Sequence, residues 1–228
     1  MTEIRTTRLP IAALMMGMSL VDRALTALAR QLGEPTGFAG RIVGRLLNRT
    51  NRSIVIAAVA ATECGPAAHV ADIGFGGGVG LEALLECDGT VVHGVEMSET
   101  MLAEARHRFS SDIAHGRLHL QSGRMESLPL ADSALDAIIS TNTIYFVSDL
   151  ATALRELARV LRPGGRLVLG VGDPDQMSTM PFTRTGFRLR PIDRLVSALR
   201  DAGFDPIDDR RVGDKPGAFH LLVCDRPV

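Results

Sequence analysis

From residue 69 to residue 172 the chain alternates strand-length apolar runs with helix-length segments, and this alternation limits the fold more than any other feature. "HVADIG" (69–74) reads as a short buried strand, and "GLEALLE" (80–86) opens a helix. "TVVHGVE" (90–96), "RLHLQSG" (117–123), "LDAIISTNT" (135–143) and "GRLVLGVG" (165–172) read as four more strands. Two helices, "SETMLAEARHRF" (98–109) and "LATALRELARVL" (150–161), fall among them. Strands joined through helices run parallel by right-handed crossovers, so the pattern predicts a doubly wound α/β sheet with helices on both faces.

The end of the chain breaks the alternation. After a polar loop, "PIDRLVSALRDAGF" (191–204) reads as one more helix, closed by Gly203. "DPIDDRRVGD" (205–214) and "AFHLLVCDR" (218–226) follow with only "KPG" between them. So short a link holds no crossover helix, so these two strands are expected to pair antiparallel, bringing the sheet to seven strands. Residues 11–61 read as helical, broken near "GEPTGFAG" (33–40). The expected division is therefore an N-terminal helical lid or substrate-binding segment over 1–61 and a ligand-binding core over 62–228.

Composition narrows the function. The net charge of −1 offers no field for nucleic acid or anionic lipid, and eight Phe, one Tyr and no Trp leave few platforms for stacking bases. Cys64, Cys87 and Cys224 stand at unrelated spacings, which suits buried thiols in a reducing compartment better than a disulfide frame. His115 and His119 straddle Gly116 and do not share a helical face, so no metal set is expected. Arg5 and Arg8 precede an apolar run from Pro10 to Val21, but Asp22 and Arg23 follow and no small-x-small cleavage site is clear. The run continues at helical spacing through Ala24, Leu25, Leu28 and Leu32, as an amphipathic helix does. With no apolar stretch of membrane-spanning length, a cytoplasmic protein is expected.

Residues 74–80 hold five glycines, a density that sacrifices backbone entropy unless something must lie against the main chain. A nucleoside triphosphate loop needs a Lys after its glycines, and none is there. The dinucleotide pattern G-x-G-x-x-G/A fails from Gly74, where its sixth position is Val79. It fits from Gly78 only by starting five residues beyond the strand. The pattern that fits is an acid followed by alternating glycines: Asp72, Gly74, Gly76, Gly78.

With that loop, "GVEMSETMLAEAR" (94–106), "SGRMESLPLADSALDAIIS" (122–140) and "RVLRPGGRLVL" (159–169) follow in order. In these four motifs the chain resembles the class I S-adenosylmethionine-dependent methyltransferases, of the small-molecule, ubiquinone- and menaquinone-biosynthesis type. The resemblance covers about residues 66–172 and implies a Rossmann-like fold, S-adenosylmethionine as cofactor and a small-molecule acceptor.

It also implies roles. Asp72 would meet the cofactor's amino group, Gly74, Phe75, Gly76 and Gly78 its methionine and ribose portion, and Glu96 both ribose hydroxyls. Met97 and Met101 would pack on the adenine, and Gly123, Arg124, Met125 and Glu126 would border it. Arg124 stands where the family usually has Asp and cannot accept a hydrogen bond. Adenine recognition would then pass to the Met125 backbone and Glu126, or Arg124 would stack on the ring. Thr141, Asn142, Thr143 and Tyr145 would border the pocket, with Tyr145 either positioning the acceptor, acting as a base, or packing on the cofactor edge. Met15, Met16, Met18, Met177, Met180 and Phe182 offer apolar surface for a small hydrophobic acceptor, or core. A non-catalytic cofactor-binding module and a nicotinamide-dependent reductase stand as rivals. No motif decides whether the chain forms a homodimer.

Overall fold

The structure is a computed structural model, and it describes residues 26–27, 51–213 and 218–228. The expected lid therefore lies largely outside the described residues, as do Met15, Met16, Met18 and the "KPG" link. Residues 51–62 are helical (α1). The chain then runs β1 (His69–Ile73), α2 (Val79–Leu85), β2 (Val91–Glu96), α3 (Glu99–Arg108), α4 (Ser110–Ala114), β3 (Leu118–Ser122) and β4 (Leu135–Thr141). A 3-10 turn (Ile144–Phe146), α5 (Leu150–Val160), β5 (Leu161–Val171), α6 (Pro174–Ser178), α7 (Ile192–Asp201), β6 (Ile207–Val212) and β7 (Phe219–Asp225) complete it.

The strands form one seven-stranded sheet in the order β3-β2-β1-β4-β5-β7-β6. β1 through β5 pair in parallel, and β7 lies antiparallel between β5 and β6. The doubly wound sheet with an antiparallel last pair is thus the architecture expected from the alternation.

The central strands are mostly apolar because both faces are covered. On one face Ala71, Ile73, Leu167 and Leu169 pack with Ala153, Leu154 and Leu157 of α5 and Leu195 and Leu199 of α7. On the other, Val70, Val92, Ile139 and Val168 pack with Leu81 and Leu84 of α2, Met101 and Leu102 of α3, and Ile54, Val55 and Ala58 of α1. Each such aliphatic side chain contributes about 1.5–3 kcal/mol when fully buried. Edge strand β6 carries Asp208, Asp209, Arg210 and Arg211 on its exposed middle, a charged edge that resists further strand addition.

Local signals set the ends. The Ser98 side chain accepts from Met101 N–H at the start of α3, whose last turn carries Arg106, His107 and Arg108. Asp149 caps α5 in the same way through Thr152 N–H. Two expectations need correction. β5 begins at Leu161 rather than Gly165, through an irregular register against Leu135 and Ala137. The polar stretch after β5 is also not wholly irregular: Asp173 accepts from Asp175 and Gln176 N–H, and Pro174 sits in the first turn, which starts α6.

Strand order reverses between β1 and β4, which lie side by side while the chain winds outward from each. Beyond the carboxyl ends of these strands an open parallel sheet leaves its crevice.

Candidate active site

A cavity of about 150 Å³ occupies that crevice. β1 delivers Asp72 and Ile73, the glycine loop Gly74 to Gly77, and β2 Glu96 followed by Met97. From beyond β3 come Gly123, Arg124, Met125 and Glu126, and from the end of β4 Thr141, Asn142 and Thr143. Of the residues expected at the site, all but Gly78 and Tyr145 line this one cavity.

The loop keeps its shape through close approaches that only glycine allows. Gly74 has a φ of 75°, and a Cβ on it would stand 2.5 Å from Thr143 Oγ1, so the loop and the end of β4 touch there. Gly76, with φ 49°, faces open space, as a cradle for a ligand would. Gly80, the second residue of α2, lies against Asp72: an added Cβ would stand 2.1 Å from Asp72 Oδ2. Gly78 serves the turn rather than the cavity. It is left-handed (φ 76°), and a Cβ there would meet the Phe109 ring at 3.1 Å.

Two buried carboxylates face the cavity. Glu96 accepts from Gly76 N–H at Oε2 (2.9 Å) and from Met97 and Ser98 N–H at Oε1 (2.8 and 2.9 Å), tying the glycine loop to the end of β2. Backbone bonds of this kind orient the carboxylate and leave lone pairs for further donors. Asp72 differs, since among the described residues no donor reaches its carboxylate. Burial, reinforced by the charge of Glu96, pushes its carboxyl up to about 8. A buried acid in that condition lacks a cation.

The cavity's basic residue, Arg124, is exposed on a small turn bridged to Ser127. Glu126 lies half-buried with Oε1 accepting from Ser148 N–H (3.1 Å) and Oγ (3.2 Å). Burial works against its ionisation, but these bonds and Arg124 outweigh that and hold its carboxyl below the usual range. Met101 is fully buried in the core and contributes only an edge to the cavity, whereas Met97 is half-buried.

Tyr145 does not border the cavity. It is buried in the core beside Phe187, its hydroxyl accepts from Gly172 N–H and donates to Asn142 Oδ1 (3.2 Å), and burial raises its phenol well above the usual range. A phenol so placed is no base at neutral pH. The residues on either side of it face otherwise: Phe146 and Val147 line the cavity, as do Asn51 and Val55 from α1. These four escaped sequence reasoning. Only the i, i+4 spacing of Asn51 and Val55 hinted at a shared face.

Two buried acids, a glycine cradle and little positive charge fit a cationic nucleoside, not a pyrophosphate. The comparisons agree on the class. Residues 71–169 match the family model described as "Methyltransferase domain". An "O-methyltransferase resE" of Aspergillus sclerotiorum is 31% identical over 154 residues, covering 64% of this chain and 58% of that protein. A chain of the Haloferax volcanii complex between the Trm112 methyltransferase activator and a methyltransferase superposes with a TM-score of 0.73. That match has 21% identity, over 90% of this chain and 98% of the other. The [4+2]-cyclase SpnF also shares the fold, with a TM-score of 0.67 and 19% identity, over 92% and 94%. The chain spans about half the length of the curated relatives it matches. Over residues 71–169 the chain is thus similar to a methyltransferase domain, as the four sequence motifs imply.

Proposed function

We propose that the protein transfers a methyl group from S-adenosylmethionine to a small, hydrophobic acceptor. Since the same fold also carries a cyclase, fold alone supports no activity. The observation that supports this one is the Asp72–Glu96 pair at the switch point: an acid that no described residue donates to, suited to an ammonium, beside an acid oriented for ribose hydroxyls. Glu96, and Asp72 once ionised, oppose the phosphates of a nicotinamide dinucleotide.

When bound, S-adenosylmethionine supplies a methyl group already activated on a sulfonium. The chain's task is then to hold the reactants in line and keep water out, a contribution of about 7–11 kcal/mol for well-oriented reactants. Glu96 fixes the loop, Asp72 anchors the amino-acid end, and Met97, Met101, Gly123 and Met125 enclose the adenine, with Arg124 at its rim. Glu126, engaged by Ser148, shapes this edge rather than meeting the base directly.

An apolar wall supports a hydrophobic acceptor. Phe146 at the cavity lies 4.8 Å in ring centroids from Phe187, which lies 5.8 Å from Phe182. Met180, close in sequence to Phe182, is 40% exposed. A role for residues 1–61 as a lid or substrate-binding segment is part of this proposal. A ubiquinone-biosynthesis-like acceptor, a cytoplasmic setting and a homodimer belong to the same proposal. The free thiols Cys64, Cys87 and Cys224 suit a reducing compartment, and among the described residues no helix is long and apolar enough to cross a membrane.

The test is isotope transfer from methyl-labelled S-adenosylmethionine to a panel of lipophilic phenols, indoles and amines, run beside peptides and nucleic acids. Label in one or more of the small molecules is the expected result. Label only in the polymers would refute the acceptor class.

A further inference from the structure

Asn142 stands at the end of β4 with a left-handed φ of 56°, a conformation uncommon for any residue but glycine. Its backbone N–H donates to Gly170 O (2.8 Å), which fixes the main chain at this point. Behind it, the Tyr145 hydroxyl lies in a dry, apolar setting with two partners. Gly172 N–H can only donate, so it takes a lone pair of the hydroxyl oxygen. The single hydroxyl proton then goes to Asn142, and the atom that receives it must be Oδ1. A flipped amide would leave that buried proton without an acceptor, at a cost of about 1–3 kcal/mol. The side-chain amide is therefore locked by the core, with its NH₂ turned away from Tyr145. Among the described residues nothing accepts from that NH₂, and Asn142 lines the cavity.

The neighbourhood tells what such a donor meets. Thr143, next in sequence, is the residue a Cβ on Gly74 would strike, so the end of β4 abuts the start of the glycine loop. Strand β4 pairs with β1 through Asp72 and Ile139. The donor thus shares one end of the cavity with the buried acid that awaits an ammonium, where a zwitterionic amino-acid group would put its carboxylate within reach.

We propose that Asn142 Nδ2–H donates to the carboxylate of the cofactor's amino-acid end, and that Tyr145 is the positioning residue that holds the amide in the donating orientation. The proposal rests on the cofactor assignment above. It gives a role to the single tyrosine of the chain that requires no ionisation, and a reason for the backbone conformation at Asn142.

The test is calorimetry with S-adenosylhomocysteine and with 5′-methylthioadenosine, which keeps the nucleoside but lacks the amino-acid group. Wild type, Asn142→Ala and Tyr145→Phe are compared. Loss of one charge-assisted bond predicts S-adenosylhomocysteine binding roughly tenfold weaker in Asn142→Ala and several-fold weaker in Tyr145→Phe. Binding of 5′-methylthioadenosine is expected to stay within about twofold in both, since this nucleoside has no carboxylate to lose. The double variant should be no weaker than Asn142→Ala alone, because both changes act through one bond. With one Tyr and no Trp in the chain, intrinsic emission reports Tyr145 alone. It should change when S-adenosylhomocysteine binds wild type and stay constant in Asn142→Ala. Equal weakening of both ligands in Tyr145→Phe, with a lowered melting temperature, would reduce Tyr145 to a structural role and overturn the proposal. Unchanged S-adenosylhomocysteine affinity in Asn142→Ala would also overturn it and move the amide to the acceptor side. Absence of binding by wild type to either nucleoside would instead contradict the cofactor assignment.

Discussion

Asp72 carries the sharpest consequences at the scale of single residues, because burial has made its ionisation conditional on a ligand. In the ligand-free fold its carboxyl holds a proton up to about 8, against 3.8 in the open chain. Between these values the folded form binds the extra proton, so this group makes the ligand-free protein less stable as pH rises from about 4 to 8. A cationic ligand reverses the preference by taking the ionised form. Binding of S-adenosylhomocysteine at pH 7 should therefore release close to one proton, read as a dependence of binding heat on the buffer's ionisation enthalpy. Absence of proton exchange would contradict the placement of the ammonium.

Asp72→Asn is expected to melt no lower than wild type, yet to weaken the cofactor on the order of 30-fold or more through the lost charge pair. Gly80→Ala puts a methyl group against the same carboxylate. It should cost about 1–3 kcal/mol of stability together with cofactor affinity; intact binding would show that the acid can move aside harmlessly. Tyr145, raised above the ordinary phenol range, should show no tyrosinate absorbance until the protein unfolds in alkali. Ionisation of the folded protein near pH 10 would place its hydroxyl in water instead.

Among elements, the short turn after β4 matters most, and it shows where sequence reasoning stops. The strands were legible because buried parallel strands are apolar along their length, and the glycine loop because no other residue tolerates its backbone. Tyr145 was not. In a 3-10 turn consecutive side chains point about a third of a revolution apart, so one residue decides between cavity and core. Tyr145 faces the core and Phe146 the cavity, a choice made by Phe187 from a segment some forty residues later. Gly80 was hidden for a related reason, since its contact with Asp72 forms only once α2 folds back on β1. Helix α6 carries a local signal, the Asp-Pro start at 173–174, inside a stretch whose polarity reads as loop.

The turn is clamped from outside. Arg190 donates through Nη1 to Ile144 O (2.8 Å) and through Nη2 to Val147 O (2.8 Å). Arg190→Ala removes both bonds and should lower stability by about 1–3 kcal/mol while weakening S-adenosylhomocysteine, because Phe146 and Val147 lose their support. Melting temperature and calorimetric affinity check this together. If affinity were unchanged in a destabilised variant, the turn would be support for the core alone.

For the whole molecule, one physical arrangement governs the rest. A parallel sheet leaves a crevice where its strand order reverses, and two acids at the ends of adjacent strands stand buried in it. On the proposed reading, that combination would select a cationic nucleoside and give the glycines their purpose. The acceptor was less legible, since its specificity belongs to loops and helices outside the shared motifs. Arg124, where the family usually has an acid, lies exposed and Met125 buried, so on the proposed reading adenine recognition would rest on shape.

A crystal structure of the complex with S-adenosylhomocysteine is the most direct measurement. The expected density lies along Gly74 to Gly77, with the ribose hydroxyls on Glu96 and the ammonium beside Asp72. A ligand lodged elsewhere, or a vacant cleft at saturating concentration, would contradict it.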